Sequence, residues 1–231
     1  MTGEVHESVS VVIPVFNRPR YLEEALRSVW RQNPCPEEII IVDDGSTDDT
    51  RQSAARFVPP ARYIYQDHAG AAAARNTGIR MSKGSLIAFL DSDDVWTSEK
   101  MKIQKRRMDE CPELDMIAGK VESFFSPDIS EINRKKIRIP ADPVSGFIPS
   151  AVVIRRRVFD LLGGFPLDME VGEFVDWFLR AREAGMKYDV VPQVVARRRV
   201  HDNNMGIEKR DARGDYLRIV RAAMERRRRH E

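Results

Sequence analysis

No hydrophobic stretch in this chain outlasts a strand: the longest apolar runs are residues 39–42, 86–90 and 151–154. A membrane-spanning helix needs roughly 20 apolar residues, so none is expected. Cysteine is nearly absent. Cys35 and Cys111 stand alone without metal-type spacing, which excludes a disulfide framework and points to free thiols in a reducing compartment. The first seven residues are acidic and lack an apolar core, which argues against a secretory signal, and a cytoplasmic protein is expected. Net charge is also small, +2 from 38 Lys and Arg against 36 Asp and Glu, and no nucleic-acid partner is expected. The 13 glycines fit neither G-x-G-x-x-G nor G-x-x-x-x-G-K-[ST], which removes the dinucleotide fingerprint and the phosphate loop.

What is present is a soluble globular composition, 42% hydrophobic and 32% charged over 231 residues, enough for one sizeable α/β domain. Charge is uneven. Residues 209–231 hold nine Lys and Arg against four acids, a surplus of +5 that leaves residues 1–208 at −3. Residues 211–229 read as a helix with Tyr216, Leu217, Val220 and Met224 inward. This basic helix is either a solvated helix end or a peripheral contact with an anionic membrane surface.

The chain is organised around residues 86–94, Leu-Ile-Ala-Phe-Leu-Asp-Ser-Asp-Asp, five apolar residues followed by acids. The run reads as a strand buried on both faces, and its carboxylates must lie where the strand leaves the core. In an open α/β sheet that is the ligand edge. Asp91 and Asp93 are two residues apart, so in an extended segment they face the same way and offer two oxygen ligands to Mg²⁺ or Mn²⁺. A solvated turn before a helix capped by Ser98 is the plainer reading of the same residues.

Three further strands lead into turns or helices. A β-branched run at residues 8–15 stops at Pro14-Val15-Phe16-Asn17, with Asn17 expected to cap a helix whose apolar stripe is Leu22, Ala25, Leu26, Val29 and Trp30. Residues 38–42 lead into Asp43-Asp44-Gly45-Ser46, and residues 62–66 into Asp67-His68-Ala69-Gly70 before a small-residue helix that carries Arg75. This strand-helix alternation predicts a doubly wound, mostly parallel central sheet flanked by helices. Residues 98–110 read as a polar surface helix, and residues 126–149, rich in Pro and basic side chains, as a long loop or lid.

Farther on, Val171, Phe174, Val175, Phe178 and Leu179 repeat at helical spacing, an expected buried stripe. The opposite face would then carry Glu173, Asp176, Trp177 and Arg180. A carboxylate beside an aromatic suits a general base, and an indole suits a sugar ring, although an ordinary solvated face with an Arg180 ion pair has the same spacing.

Taken together, Pro14-Val15-Phe16-Asn17, Val42-Asp43-Asp44-Gly45-Ser46-Thr47-Asp48, Ala74-Arg75-Asn76-Thr77-Gly78, Phe89-Leu90-Asp91-Ser92-Asp93-Asp94 and Gly163-Gly164-Phe165 resemble the family 2 nucleotide-sugar glycosyltransferases, inverting enzymes of the GT-A fold. The resemblance implies a single GT-A-type domain over residues 1–208, with a donor half to residue 110 and an acceptor half at 111–208, followed by the basic helix at 209–231. It implies a hexosyltransferase that uses Mn²⁺ or Mg²⁺ and a nucleoside diphosphate sugar, UDP-sugar foremost, with a hydroxyl acceptor on a glycan, a lipid carrier or a protein. Pro14, Phe16, Arg18, Asp44, Asp67 and Arg75 would then line the nucleoside and phosphate end, with Asp91, Ser92 and Asp93 on ribose, metal and diphosphate. Asp93 would be the direct metal ligand, joined by Asp91 and His201. The family places Glu-Asp at the start of the helix after Gly-Gly-Phe, and here the pair reads Glu173-Phe174, leaving Glu173 and Asp176 as candidate bases and Trp177 and Arg180 as acceptor contacts. The alternatives are a nucleotide-sugar-binding module without catalysis, or a sugar-nucleotide pyrophosphorylase.

Overall fold

The structure is a computed structural model, which describes residues 7–58, 60–204 and 213–228. Among the described residues, nine strands form one sheet. In chain order the elements are β1 (Val9–Val15), α1 (Pro19–Trp30), β2 (Glu38–Asp43), α2 (Thr50–Ala55), β3 (Arg62–Tyr65), α3 (Ala71–Met81), β4 (Leu86–Phe89), β5 (Val95–Trp96) and α4 (Lys100–Glu110). There follow β6 (Met116–Phe125), α5 (Glu131–Lys136), β7 (Val144–Gly146), a 3₁₀ turn (Pro149–Ala151), β8 (Val152–Arg155), α6 (Arg156–Leu162), α7 (Glu173–Glu183), β9 (Tyr188–Val200) and α8 (Arg213–Arg228).

The strand order is β3-β2-β1-β4-β8-β6-β9-β5, with β7 paired to β6. Strands β1 to β4 are parallel, and β6 and β9 run in their direction, while β5, β7 and β8 run against it. The expected mostly parallel, doubly wound sheet is therefore present. Every residue of β1 and β4 is buried, as continuous apolar runs require when helices cover both faces. Alternate residues feed two cores. Val11, Ile13, Ile39 and Ile41 pack with Leu22 and Leu26 of α1 and Met101 and Met108 of α4 on one face. Val12, Ile40, Val42 and Phe89 pack with Ala74 of α3, Phe159 of α6 and Trp177 of α7 on the other. The chain leaves β1 toward β2 and β3, then crosses back to place β4 on the opposite side of β1, and the crevice at this switch point is where α/β sheets bind ligands.

Several local expectations are corrected. Asn17 does not cap α1; its φ is +51° and its side chain accepts a bond from the Thr47 amide at 2.9 Å, joining two crevice loops instead. Helix α4 begins at Lys100 without a side-chain cap from Ser98, and it is not a purely surface helix, because Lys100, Met101, Gln104 and Met108 are buried. Residues 126–149 are not one loop: Ser130 caps α5 by accepting the Asn133 amide, and β7 pairs with β6. In α8 the inward residue is Ile219, 1% exposed and seated against Gly172, whereas Tyr216, Leu217, Val220 and Met224 are each at least half exposed. The physical reason is polar: Asp215 accepts the Glu170 amide and Arg226 pairs with Glu183 and Asp176, which turns the opposite face of the helix inward. Residues 209–212 and 229–231 of the basic segment lie outside the described residues. Among the described residues no helix is long and apolar enough to cross a membrane.

Candidate active site

The crevice at the β1–β4 switch point gathers the acids. Pro14 is buried at the end of β1, and Phe16, just beyond it, is exposed and stacks on His68 with ring centroids 4.2 Å apart. Asp44 is buried below this pair. Its carboxylate accepts Gln66 Nε2 at 2.7 Å, the Ala69 amide at 3.0 Å and the Gly70 amide at 2.8 Å, and lies 2.8 Å from His68 Nδ1. Three hydrogen bonds reach the carboxylate and the His68 ring bonds the Asp44 carbonyl at 2.9 Å, so Asp44 anchors the 66–70 loop. Asp67 is exposed at the head of that loop. His68 is a rim residue that the sequence reading missed, and its only signal was its place in a turn directly after a strand.

Helix α3 delivers Arg75 into the protein beneath the crevice. Gly78 permits this, since a Cβ there would sit 2.2 Å from Val12 Cγ1, so α3 lies close against β1. The Arg75 guanidinium bridges two acids, Nη2 to Asp91 at 2.5 Å and Nη1 to Glu173 at 2.6 Å, with its Nε buried and without a partner. Burial opposes that charge, but Asp91 and Glu173 hold the guanidinium protonated more firmly than usual. Asn76, one residue on, clamps the Gly163-Gly164-Phe165 turn: it donates to the Phe165 carbonyl and accepts the Phe165 amide, both at 2.8 Å. A Cβ on Gly164 would lie 2.2 Å from Asn76 Oδ1. Thus α3 fixes both the arginine and the turn that leads to α7.

At the end of β4 the three acids divide their work. Asp91 faces Arg75, and burial leaves its carboxyl above the usual range despite that partner. Ser92 is buried. Asp93 Oδ2 lies 2.9 Å from His201 Nε2; burial opposes its ionisation, but the His201 bond and the charges of His201 and Arg18 keep it below the usual range. Asp94, which sequence reading left unassigned, is an internal anchor that accepts Ser150 Oγ at 2.7 Å and the Arg199 amide at 3.0 Å. Burial beside Asp93 and Asp91 pushes its carboxyl well up. Arg18 donates to the Asn203 carbonyl at 2.8 Å, holding the His201 turn against the β1 loop.

The residues implied for a cation come together only in part. Asp93 and His201 meet directly and Asp91 is held by Arg75, but no group of three ligating side chains surrounds one point among the described residues. A carboxylate oxygen facing an imidazole nitrogen is nonetheless a donor set that suits Mn²⁺ or Mg²⁺, with the remaining positions left for ligand oxygens.

Helix α7 is buried on more of its circumference than the stripe implied. Phe174 and Phe178 are inside as expected, but Val175 is exposed, whereas Glu173, Asp176 and Trp177 are buried. Trp177 corrects the expectation of an acceptor platform: it is fully buried among Phe159, Phe165 and Phe174, and its Nε1 donates to the Gly163 carbonyl at 2.9 Å. Asp176 pairs with Arg180 at 3.0 Å and Arg226 at 3.6 Å, and Arg180 also donates to the Leu162 and Gly164 carbonyls. Both therefore serve the junction of α6, α7 and α8. Of the two candidate bases, only Glu173 is linked to the acids of the crevice.

Residues 10–163 match glycosyl transferase family 2, and the chain belongs to that family. It is 46% identical over 104 residues to an uncharacterized glycosyltransferase of Rickettsia felis, a match covering 44% of this chain and 17% of that protein. It is 39% identical over 100 residues to the putative teichuronic acid biosynthesis glycosyltransferase TuaG of Bacillus subtilis, covering 42% of this chain and 40% of the relative. The crystal structure of Staphylococcus aureus TarS 1-349 in complex with UDP-GlcNAc superposes with a TM-score of 0.71 at 19% identity, over 87% of this chain and 61% of that one. The fold is therefore the GT-A fold. The chain spans between 15% and 64% of the length of the Rickettsia relatives.

Proposed function

We propose that this protein is an inverting, divalent-metal-dependent glycosyltransferase that moves a sugar from a nucleoside diphosphate sugar, UDP-sugar foremost, to an acceptor hydroxyl. The observation that carries the reading is Arg75, which links the donor-side Asp91 to Glu173 across the crevice. Phe16 and His68 supply a stacking rim for the nucleobase over the Asp44-anchored loop. Glu173 takes the proton from the acceptor hydroxyl as it attacks the anomeric carbon, displacing the nucleoside diphosphate from the opposite side of the sugar. Asp93 and His201 would hold the cation, which supplies positive charge to the departing diphosphate. The UDP-GlcNAc complex of the TarS neighbour, whose fold is shared, supports a nucleotide-sugar donor.

Two measurements test this. Release of UDP from UDP-GlcNAc and other UDP-sugars, with and without Mn²⁺, separates an enzyme from a binding module with the same fold. Calorimetry of UDP binding to Asp93→Asn should show loss of the Mn²⁺-dependent part of the affinity with the thermal transition retained; unchanged affinity would move the cation site elsewhere.

A further inference from the structure

Beside the His201 turn lies a groove that the donor site and the base do not use. Ile137, Ile139 and Pro140, from the segment after α5, form one wall; Val200 of β9 and Ser123 of β6 form the other. Arg138 and Arg198 also line it. The arginines on either side of Arg198 are committed: Arg197 pairs with Glu122 at 2.8 Å, and the buried Arg199 pairs with Glu24 and donates to the Asp93 carbonyl. Arg198 and Arg138 have no hydrogen-bond or ion-pair partner among the described residues. Asp128 and Asp202 instead hold Ser126 and Tyr21, and Ser130 and Asn133.

Two exposed guanidinium groups that line one concave site without an acid partner suit an anion, and the guanidinium fork matches phosphate oxygens. The groove also adjoins the reaction centre. Asn204, which lines it, accepts the His201 amide at 2.7 Å, and His201 in turn contacts Asp93. We propose that this groove binds a phosphate group of the acceptor, with an aliphatic portion of the same molecule against Ile137, Ile139 and Val200. The inference rests on the glycosyltransferase reading and names its acceptor class: a phosphate-bearing molecule whose free hydroxyl reaches the crevice while the anion is held one turn away.

The test is calorimetry on the full chain saturated with UDP and Mn²⁺, titrated with sn-glycerol 3-phosphate, decyl phosphate below its micellar concentration, and decanol. Both phosphates should bind. Arg138→Gln combined with Arg198→Gln should weaken each by about tenfold or more, the scale of losing charge-assisted hydrogen bonds, while UDP affinity stays within about twofold. Decyl phosphate should bind about tenfold tighter than glycerol phosphate, the mark of a lipid-linked phosphate; equal binding would overturn the aliphatic contact and leave a polyol phosphate as the ligand. Decanol binding as well as decyl phosphate, unchanged binding of both phosphates by the double variant, or displacement of decyl phosphate by UDP in the unsaturated protein would each overturn the proposal. Failure of the glycosyltransferase reading shows separately, as absent UDP binding or donor turnover in the unmutated chain, and the phosphate titration without UDP still reports on the groove.

Discussion

Arg75 Nη1 lies 2.6 Å from Glu173 Oε1, joining residues 98 positions apart. The same guanidinium holds Asp91, so the acid that follows β4 and the acid at the start of α7 share one guanidinium. Asn76 reinforces the arrangement by fixing the turn before α7. One turn of α3 thus sets the relative positions of Asp91 and Glu173, and a shift of either is resisted by the same buried charge.

The first prediction follows from that sharing. Lysine keeps the charge but presents a single ammonium, which cannot span two carboxylates as a planar fork does. Arg75→Lys should lower the melting temperature and reduce kcat/KM for donor turnover by at least about tenfold, because one buried acid is left unpaired. Thermal denaturation and UDP-release kinetics check this. Wild-type values for both would mean that the bridge does not organise the site.

Much of this was legible in the sequence, for identifiable reasons. The apolar runs that became β1, β2 and β4 are buried on both faces, so composition alone marked them, and the acids at their ends had to face the crevice. Helix α7 was harder. Its 3.6-residue stripe is real at Phe174 and Phe178, but the helix is covered on a second side by α8 and the Gly163 turn, so Trp177 and Asp176 are buried where periodicity put them outside. In α8 the wide apolar face predicts Tyr216, Leu217, Val220 and Met224 inward, whereas Asp215, Ile219 and Arg226 make the contacts. His68 and Arg198 carry no periodic signal, and only the three-dimensional placement of their neighbours singles them out.

Asp44 gives a second prediction. Its oxygens are already engaged by Gln66, Ala69, Gly70 and His68, leaving it little capacity to read a uracil N3 proton. Asp44→Ala should weaken UDP and CDP by similar factors through loss of loop order. His68→Ala should cost about 1–3 kcal/mol of nucleotide affinity if the ring stacks on a base. Competition binding with UDP and CDP decides, and a selective loss of UDP in the Asp44 variant would assign it to base recognition instead.

Lys100 gives a third, concerning stability. Its ammonium is fully buried, 4.8 Å from the Trp96 ring centroid and bonded to Gln104, with no carboxylate beside it, and burial pushes its pKa well down. The unfolded chain therefore binds a proton that the folded chain gives up more readily. Stability should rise with pH between the depressed folded value and the ordinary lysine value near 10, by at most about 1.4 kcal/mol per pH unit. Lys100→Met should flatten that rise. Chemical denaturation at pH 6, 8 and 9.5 would show it, and an equal pH slope in both proteins would mean that Lys100 does not titrate there.

The last prediction separates the two candidate bases. Phe174 is buried in the aromatic cluster, so it leaves its neighbours to supply the carboxylate. Glu173 stands at the first position of α7, where the helix N-terminus favours a negative charge, and it shares Arg75 with Asp91. Asp176 lies one turn on and is held by Arg180 and Arg226 at the α8 junction. Loss of a general base typically lowers the rate by about 10²–10⁴, whereas breaking a buried ion pair costs about 3–5 kcal/mol of stability. Glu173→Gln should also melt earlier, because its pair with Arg75 is weakened, yet below its transition it should bind UDP normally and transfer sugar at least about a hundredfold more slowly. Asp176→Asn should melt earlier yet turn over within about tenfold of wild type below its transition. Transfer rates measured beside melting curves, with UDP affinity checked in each variant, decide the matter: a slow but stable Asp176 variant together with an active Glu173→Gln enzyme would reverse the assignment.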